Sequence, residues 1–190
     1  MINKMLNSEM YDPSDKELVT LRKKCHNLCR EYNSLSEDNS RRNDILKELG
    51  IKLGKNVFLQ GPIYFDYGCF ISFGDNSYAN FNLTILDTCP VTIGKNVLIG
   101  TGVSILTALH PMGYETRNPY ISNDGYLTDK EYGKPVTIKD NCWIASNVTI
   151  CPGVTIDEGC VVGAGSVVTK SIPANSFAAG NPCKIIKKLK

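Results

Sequence analysis

An aliphatic residue returns at every sixth position along one stretch of the chain: Ile138, Ile144, Ile150, Ile156, Val162 and Val168. A helix sets apolar side chains at a period of about 3.6 and a strand at about two, so a strict six requires short straight segments, each closed by a turn. Position i+4 of each hexad is also small or apolar, as Cys142, Val148, Val154, Cys160, Ser166 and Ile172, so two residues per hexad point inward. Three such sides close one triangular coil, and stacked coils make a solenoid.

The register also runs backward. Leu53, Leu59 and Phe65 form one set of three, then Phe73, Ala79 and Ile85, then Ile93, Ile99 and Ile105. The sets open alike, as Leu53-Gly-Lys-Asn, Phe73-Gly-Asp-Asn, Ile93-Gly-Lys-Asn and Ile138-Lys-Asp-Asn, at steps of 20, 20 and 45 residues where three plain hexads take 18. The first two steps each hide a two-residue bulge at a corner, and the third hides an excursion over residues 106–135. At about 1.5–3 kcal/mol gross per buried aliphatic side chain, the inward column offsets much of the ordering entropy.

Ile144-Ala-Ser-Asn-Val-Thr-Ile150 and Val162-Gly-Ala-Gly-Ser-Val-Val168 carry the pattern of the hexapeptide-repeat acyltransferases, which the chain resembles. The resemblance implies an all-β solenoid, a left-handed parallel β-helix; the handedness comes from the family, since crossovers in general favour the right hand. The expected organisation is an N-terminal helical cap over 1–50, the β-helix over 51–173 with its excursion loop at 106–135, and a C-terminal tail over 174–190.

A net charge of +2 gives no global field for nucleic acid or a membrane surface. No apolar run reaches the length of a membrane span and the N-terminus lacks a signal peptide's apolar core, so a cytoplasmic protein is expected. Of the eight cysteines, Cys69, Cys89, Cys142 and Cys160 fall at i+4 and read as small core residues. Cys25 and Cys29 have only His26 near them, Cys151 and Cys183 stand alone, and no four-ligand zinc spacing occurs, so no metal is expected.

Ser14-Asp-Lys-Glu17 has capping-box form, and Leu18, Leu21, Cys25, Leu28 and Tyr32 then recur at helical steps. A second helix is expected from about Glu37 to Leu49, ending at Gly50, with Arg41, Arg42, Asp44 and Lys47 facing solvent. The pair covers the open top of the β-helix, an edge that would otherwise aggregate. Met10-Tyr11-Asp12 and Arg22, Tyr64-Phe-Asp-Tyr-Gly68 and the run from Tyr78 to Asp87 resemble the maltose and galactoside O-acetyltransferases more specifically. The resemblance implies a sugar acceptor held by Asp12, Arg22, Asp66, Asn80 and Asp87. Where the galactoside enzyme has a second carboxylate, this chain has Thr88, so the acceptor's identity stays open.

Acetyl transfer from a thioester to a hydroxyl needs a base, orientation and a place for the oxyanion. Of the two histidines, His26 sits beside an apolar helical stripe and reads as a surface residue. His110 lies at i+5 from Ile105, pointing out of the coil where the excursion begins, and is the candidate base. Glu131, or a backbone carbonyl, would accept from its second nitrogen. No Ser or Cys is placed beside it, so attack is expected to be direct. The resemblance implies acetyl-CoA as donor, in a cleft between neighbouring subunits of a homotrimer, with the excursion reaching a neighbour. Ser146, Ala164, Thr169 and Lys170 match donor-contacting positions, and Lys184 and Lys187 stand where relatives carry arginines. Trp143, the only tryptophan, is expected to line the same cleft. The competing readings are N-acetylation of an amino sugar and a non-catalytic β-helix serving as a binding platform. A γ-class carbonic anhydrase requires three metal-binding histidines.

Overall fold

The computed structural model describes residues 1–122 and 124–190, so residue 123 of the excursion lies outside the described residues. The hexads wind into a parallel β-helix of three faces. The first stacks Lys52–Leu53, Ile71–Phe73, Val91–Ile93, Val136–Ile138 and Thr155–Ile156. The second stacks Phe58–Leu59, Tyr78–Ala79, Leu98–Ile99, Trp143–Ile144, Val161–Val162, Ser176–Ala179 and Lys184–Lys188. The third stacks Ile63–Phe65, Leu83–Leu86, Ser104–Leu106, Thr149–Ile150 and Val167–Val168.

Strand register reproduces the sequence register. Leu53 pairs with Phe73, Phe73 with Ile93, Ile93 with Ile138 and Ile138 with Ile156, so the 45-residue step is one coil with an insertion. The inward residues are buried, Leu53 and Val57 in the end coil only partly. Cys69 and Cys89, expected at inward positions, fall in the two-residue bulges and pack under the N-terminal segment instead, Cys89 Sγ lying 3.2 Å from Met5 O. At one corner Asn56, Asn76, Asn96 and Asn141 each adopt a positive φ, where asparagine is tolerated, and their amides form a ladder at 3.0, 3.3 and 3.1 Å.

The cap is built differently from its sequence signals. A short helix α1 (Ile2–Leu6) precedes α2 (Lys16–Ser34) and α3 (Arg41–Glu48). Asp15 is the N-cap of α2, accepting from the N–H groups of Glu17 and Leu18 at 3.1 and 3.4 Å, whereas Ser14 donates its hydroxyl to Asp12. Arg42 is not solvated: it is 5 % exposed, lies over the Tyr32 ring at 4.2 Å, and donates to the carbonyls of Leu59 and Gln60 at 2.8 and 2.6 Å. Tyr32 also donates to Leu59 O, and Asn33 both donates to Ile63 O and accepts from Ile63 N. The first coil has no strand above it, so its backbone groups take side-chain partners from the cap instead.

The excursion folds back on its own chain. Ala108–Leu109 pairs antiparallel with Tyr132–Gly133, and Tyr120–Ile121 with Leu127–Thr128, with helix α4 (Tyr114–Arg117) between the two ladders. Its base packs on the N-terminal segment through a bridge between Tyr11 and Glu131 and a hydrogen bond of 2.6 Å from the Thr128 hydroxyl to Asp12. Its outer part exposes Met112, Tyr126, Ile121 and Leu127. Beyond the last coil the chain is no free tail: Ser176–Ala179 continues the second face and Lys184–Lys188 folds back antiparallel onto it. Among the described residues no helix is long and apolar enough to cross a membrane.

Candidate active site

The ladder at the excursion's base decides which side chains meet. Ala108 lies opposite Gly133 and Leu109 opposite Tyr132, which brings His110, next along the chain, to the end of the returning strand where Glu131 bridges to Tyr11. Side chains alternate along an extended chain, so Asp129 shares the face of Glu131. It is Asp129, not Glu131, that faces the imidazole, with Oδ2 3.3 Å from Nδ1. Glu131 instead accepts the Tyr11 phenol at 2.6 Å. Nothing in the hexad marks Asp129; only the antiparallel register and its alternation do.

Donor atoms of His110, Asp129 and Glu131 lie within 4.8 Å of one another, a set that could take a divalent cation, and it coincides with the candidate base. Burial, then the hydrogen bond to Glu131, push the Tyr11 phenol well above its ordinary range, so it stays a donor.

A cavity of about 510 Å³ opens beside this group, with Arg22, His26, Asp66, Thr88, Asp129 and Glu131 on its wall. Arg22 is held by Tyr67 Oη at 3.0 Å and Pro13 O at 3.1 Å. Asp12 Oδ1 accepts from the Ser14 amide and hydroxyl and from Thr128; partial burial opposes its ionisation, but these donors hold its carboxyl below the usual range. Asp66 has His26 Nε2 at 3.8 Å, and desolvation pushes its carboxyl up against the pull of His26 and Arg22. His26 is therefore part of the cavity wall. Its place beside the apolar stripe of α2 did not mark this, because Asp66, which it meets, is 40 residues away in sequence.

Asp87 does not reach this cavity. It is 0 % exposed and accepts from the amides of Tyr67 and Phe70 at 2.9 and 3.3 Å, with burial raising its pKa from 3.8 to about 7. The two-residue bulge in the preceding coil offers two backbone N–H groups at this corner, and a turned-in carboxylate satisfies both.

Asn80 belongs to another edge, between the second and third faces, and accepts from Phe81 N at 2.7 Å. The coils below place Gly100, Ala145 and Gly163 in register with it, each hydrogen-bonded to the next coil at 2.8–2.9 Å. Ser146 and Ala164 follow on the same edge. A Cβ on Gly100 would lie 2.6 Å from Ser146 N, so glycine at this position lets the two coils stack closely along the edge. The second face beside it carries an outward column of Phe58, Tyr78, Leu98, Trp143, Val161 and Phe177, with Trp143 53 % exposed. Lys184 and Lys187 lie on the strand closing that face, while Thr169 and Lys170 follow the last strand of the third. One chain thus brings Arg22, Asp66, Asp129 and Glu131 onto one cavity wall with His110 beside Asp129, sets Asp12 behind Thr128 on a neighbouring cavity, and holds Asn80, Trp143, Ser146 and Ala164 on a different edge.

Comparison with known proteins agrees with this architecture. Residues 4–49 match the maltose acetyltransferase hexapeptide capping motif, residues 135–170 the six-repeat bacterial transferase hexapeptide, and residues 88–107 the hexapeptide repeat of succinyl-transferase. The chain is 39 % identical to the galactoside O-acetyltransferase of Escherichia coli K12 over 163 residues, covering 85 % of this chain and 76 % of that one. A maltose O-acetyltransferase structure from Clostridium difficile 630 superposes with a TM-score of 0.89 at 43 % identity, covering 100 % and 97 % of the two chains. A galactoside acetyltransferase solved in complex with coenzyme A superposes with a TM-score of 0.88 at 37 % identity, over 100 % and 91 %. Repeats, cap and whole-chain similarity together make this protein an acetyltransferase of the hexapeptide-repeat family, in its maltose and galactoside O-acetyltransferase branch.

Proposed function

We propose that the chain transfers acetyl from acetyl-CoA to a sugar hydroxyl by direct attack, with His110 as general base. The observation that carries this reading is the His110–Asp129 pair beside the 510 Å³ cavity. Asp129 accepts from Nδ1–H and fixes the tautomer, which leaves Nε2 to take the hydroxyl proton. The hydroxyl oxygen bonds to the thioester carbonyl carbon, the tetrahedral adduct collapses with loss of the C–S bond, and the imidazolium returns its proton to the CoA sulfur. Asp12, Arg22 and Asp66 hold the acceptor, so the reacting oxygen is presented rather than encountered. Glu131 anchors Tyr11 and the arm's base rather than the imidazole.

The separation of Asn80, Trp143, Ser146 and Ala164 from His110 supports a homotrimer. A closed threefold assembly sets the Asn80–Ser146 edge and apolar column of one copy against the His110 edge of the next, covering a face that would otherwise expose Trp143 and Leu98. Thr169, Lys170, Lys184 and Lys187 then provide hydrogen bonds and charge for the donor's nucleotide end, lysine serving as a point charge.

The carboxylates of Asp66, Asp129 and Glu131 outnumber the guanidinium of Arg22 on the cavity wall, which favours an amine acceptor as the second reading. Thiol release from acetyl-CoA across sugars and amino sugars separates the two. Turnover on neutral sugars carries the O-transfer reading, turnover on amino sugars alone replaces it, and turnover on neither overturns both. Titration with CoA should also give a saturable change in Trp143 emission; no change with binding confirmed by calorimetry removes Trp143 from the donor cleft.

A further inference from the structure

The three side chains that converge at the arm's base offer the candidate base a second occupant. One donor atom each of His110, Asp129 and Glu131 lies within 4.8 Å of the other two. The first pair already has the spacing of two ligands on one ion. Asp129 Oδ2 is 3.3 Å from His110 Nδ1, and two ligands each about 2.0–2.1 Å from a tetrahedral zinc are about 3.3–3.4 Å apart.

Glu131 supplies the third donor from an anchored position. Its main chain bridges Tyr11 in both directions, at 2.9 and 3.1 Å, and the Tyr11 phenol donates to Oε2 at 2.6 Å. Tyr11 is 3 % exposed, so a buried hydroxyl holds this carboxylate, while Oε1 has no hydrogen-bond partner among the described residues. An outer donor that orients a ligating carboxylate is the second layer a metal site needs. The charge agrees: Asp66, Asp129 and Glu131 share the cavity wall with one guanidinium, that of Arg22. One imidazole with two carboxylates suits zinc and its first-row neighbours, whereas magnesium takes oxygen ligands throughout. Three protein ligands leave the fourth position to water.

We propose that His110, Asp129 and Glu131 form a reversible inhibitory site for a divalent transition ion of the zinc class. The inference rests on His110 as the base proposed above. In the catalytic tautomer the Nδ1 proton lies between the ring and Asp129, and Nε2 keeps the lone pair that takes the hydroxyl proton. An ion bound at Nδ1 fills that gap, and the one proton of the neutral ring then sits on Nε2. The atom that must accept a proton already carries one, so the hydroxyl is not activated. No proton leaves the imidazole in the exchange, and removal of the ion restores the first tautomer.

Calorimetry with Zn²⁺ and absorption spectroscopy with Co²⁺, both on the enzyme without substrate, test the site itself. Wild type should bind one ion per chain, with cobalt d–d bands and no thiolate-to-cobalt charge transfer, because the ligands are nitrogen and oxygen. Affinity should fall by about tenfold or more in Asp129→Asn and in Glu131→Gln, and vanish in His110→Ala, with circular dichroism confirming that each variant is folded. A charge-transfer band, or affinity unchanged in His110→Ala, would put the ion on the free cysteines and overturn the proposal. Inhibition is read from acetylated sugar by mass spectrometry, since zinc also captures the CoA thiol. Saturating Zn²⁺ should lower kcat by about 10²-fold or more with KM for acetyl-CoA unchanged, and EDTA should restore it. No binding, with turnover still lost in His110→Ala, overturns the ion site and leaves the base standing. Binding at the three residues with turnover undiminished overturns the inhibition and removes His110 as base. If no sugar is turned over, the proposed function fails and the inhibition with it, while calorimetry still decides the ion site.

Discussion

The coils and the arm are made by opposite rules. In the coils each inward residue follows from its place in the count: Ile105 sits on Ile85 above and Ile150 below, and all three are fully buried. In the arm no period operates, and Asp129, Glu131 and Thr128 take their places from an antiparallel register and from contacts with Tyr11 and Asp12, more than a hundred residues earlier. Repetition provides a rigid frame but presents equivalent groups on every coil. A single reactive constellation needs a place where the repeat is interrupted, and the candidate base stands at that interruption.

Breaking the arm's chemistry should have the largest effect. His110→Ala is expected to lower acetyl transfer by about 10²–10⁴-fold with the thermal midpoint unchanged. Steady-state kinetics within about threefold of wild type would make the arm structural and return the search for a base to His26.

The frame should respond in stability rather than rate. Ile105→Ala leaves a cavity in the stacked column and is expected to cost about 2–5 kcal/mol, while Ile121→Ala, on the exposed arm, should stay within about 0.5 kcal/mol. Chemical denaturation of both variants checks this. Equal losses would mean that arm and coils unfold as one packed unit.

A smaller effect tests the carboxylate that the frame turned inward. With Asp87 raised from 3.8 to about 7, the folded state binds its proton more tightly than the unfolded chain. That contribution is complete below about pH 4 and is lost as pH rises to about 7, each tenfold difference in proton affinity being worth roughly 1.4 kcal/mol. The urea midpoint of wild type should therefore fall between pH 4 and 7 relative to Asp87→Asn and run parallel above it. Parallel curves throughout would show Asp87 ionised in the fold, held by the amides of Tyr67 and Phe70.

The smallest expected effect separates a base from the group that aims it. Asp129→Asn should lower kcat by about tenfold with little change in KM for acetyl-CoA, and Asp129→Glu should recover part of the loss. An unchanged kcat in Asp129→Asn, together with a loss in Glu131→Gln, would restore Glu131 as the imidazole's partner.

Where a residue's environment repeats, the sequence was sufficient. The three inward columns, the bulged 20-residue steps, the turned-in Cys142 and Cys160, and the outward phase of Trp143 and His110 all followed from counting, because each coil is stacked on a copy of itself. Cys69 and Cys89, counted as inward, instead fall in the bulges and pack under the N-terminal segment. Position relative to a neighbour that is distant in sequence was decided by the tertiary structure. Arg42 is buried because the first coil leaves carbonyls without a strand above them, and Asp87 turns inward because a bulge leaves two amides free. Asp129 faces His110 because the arm returns antiparallel, and His26 meets Asp66 because α2 lies across the third face. Counting along the chain predicts burial when the partner is the next repeat. A polar group's partner comes from whatever the fold brings within about 3 Å, and only the folded chain selects it.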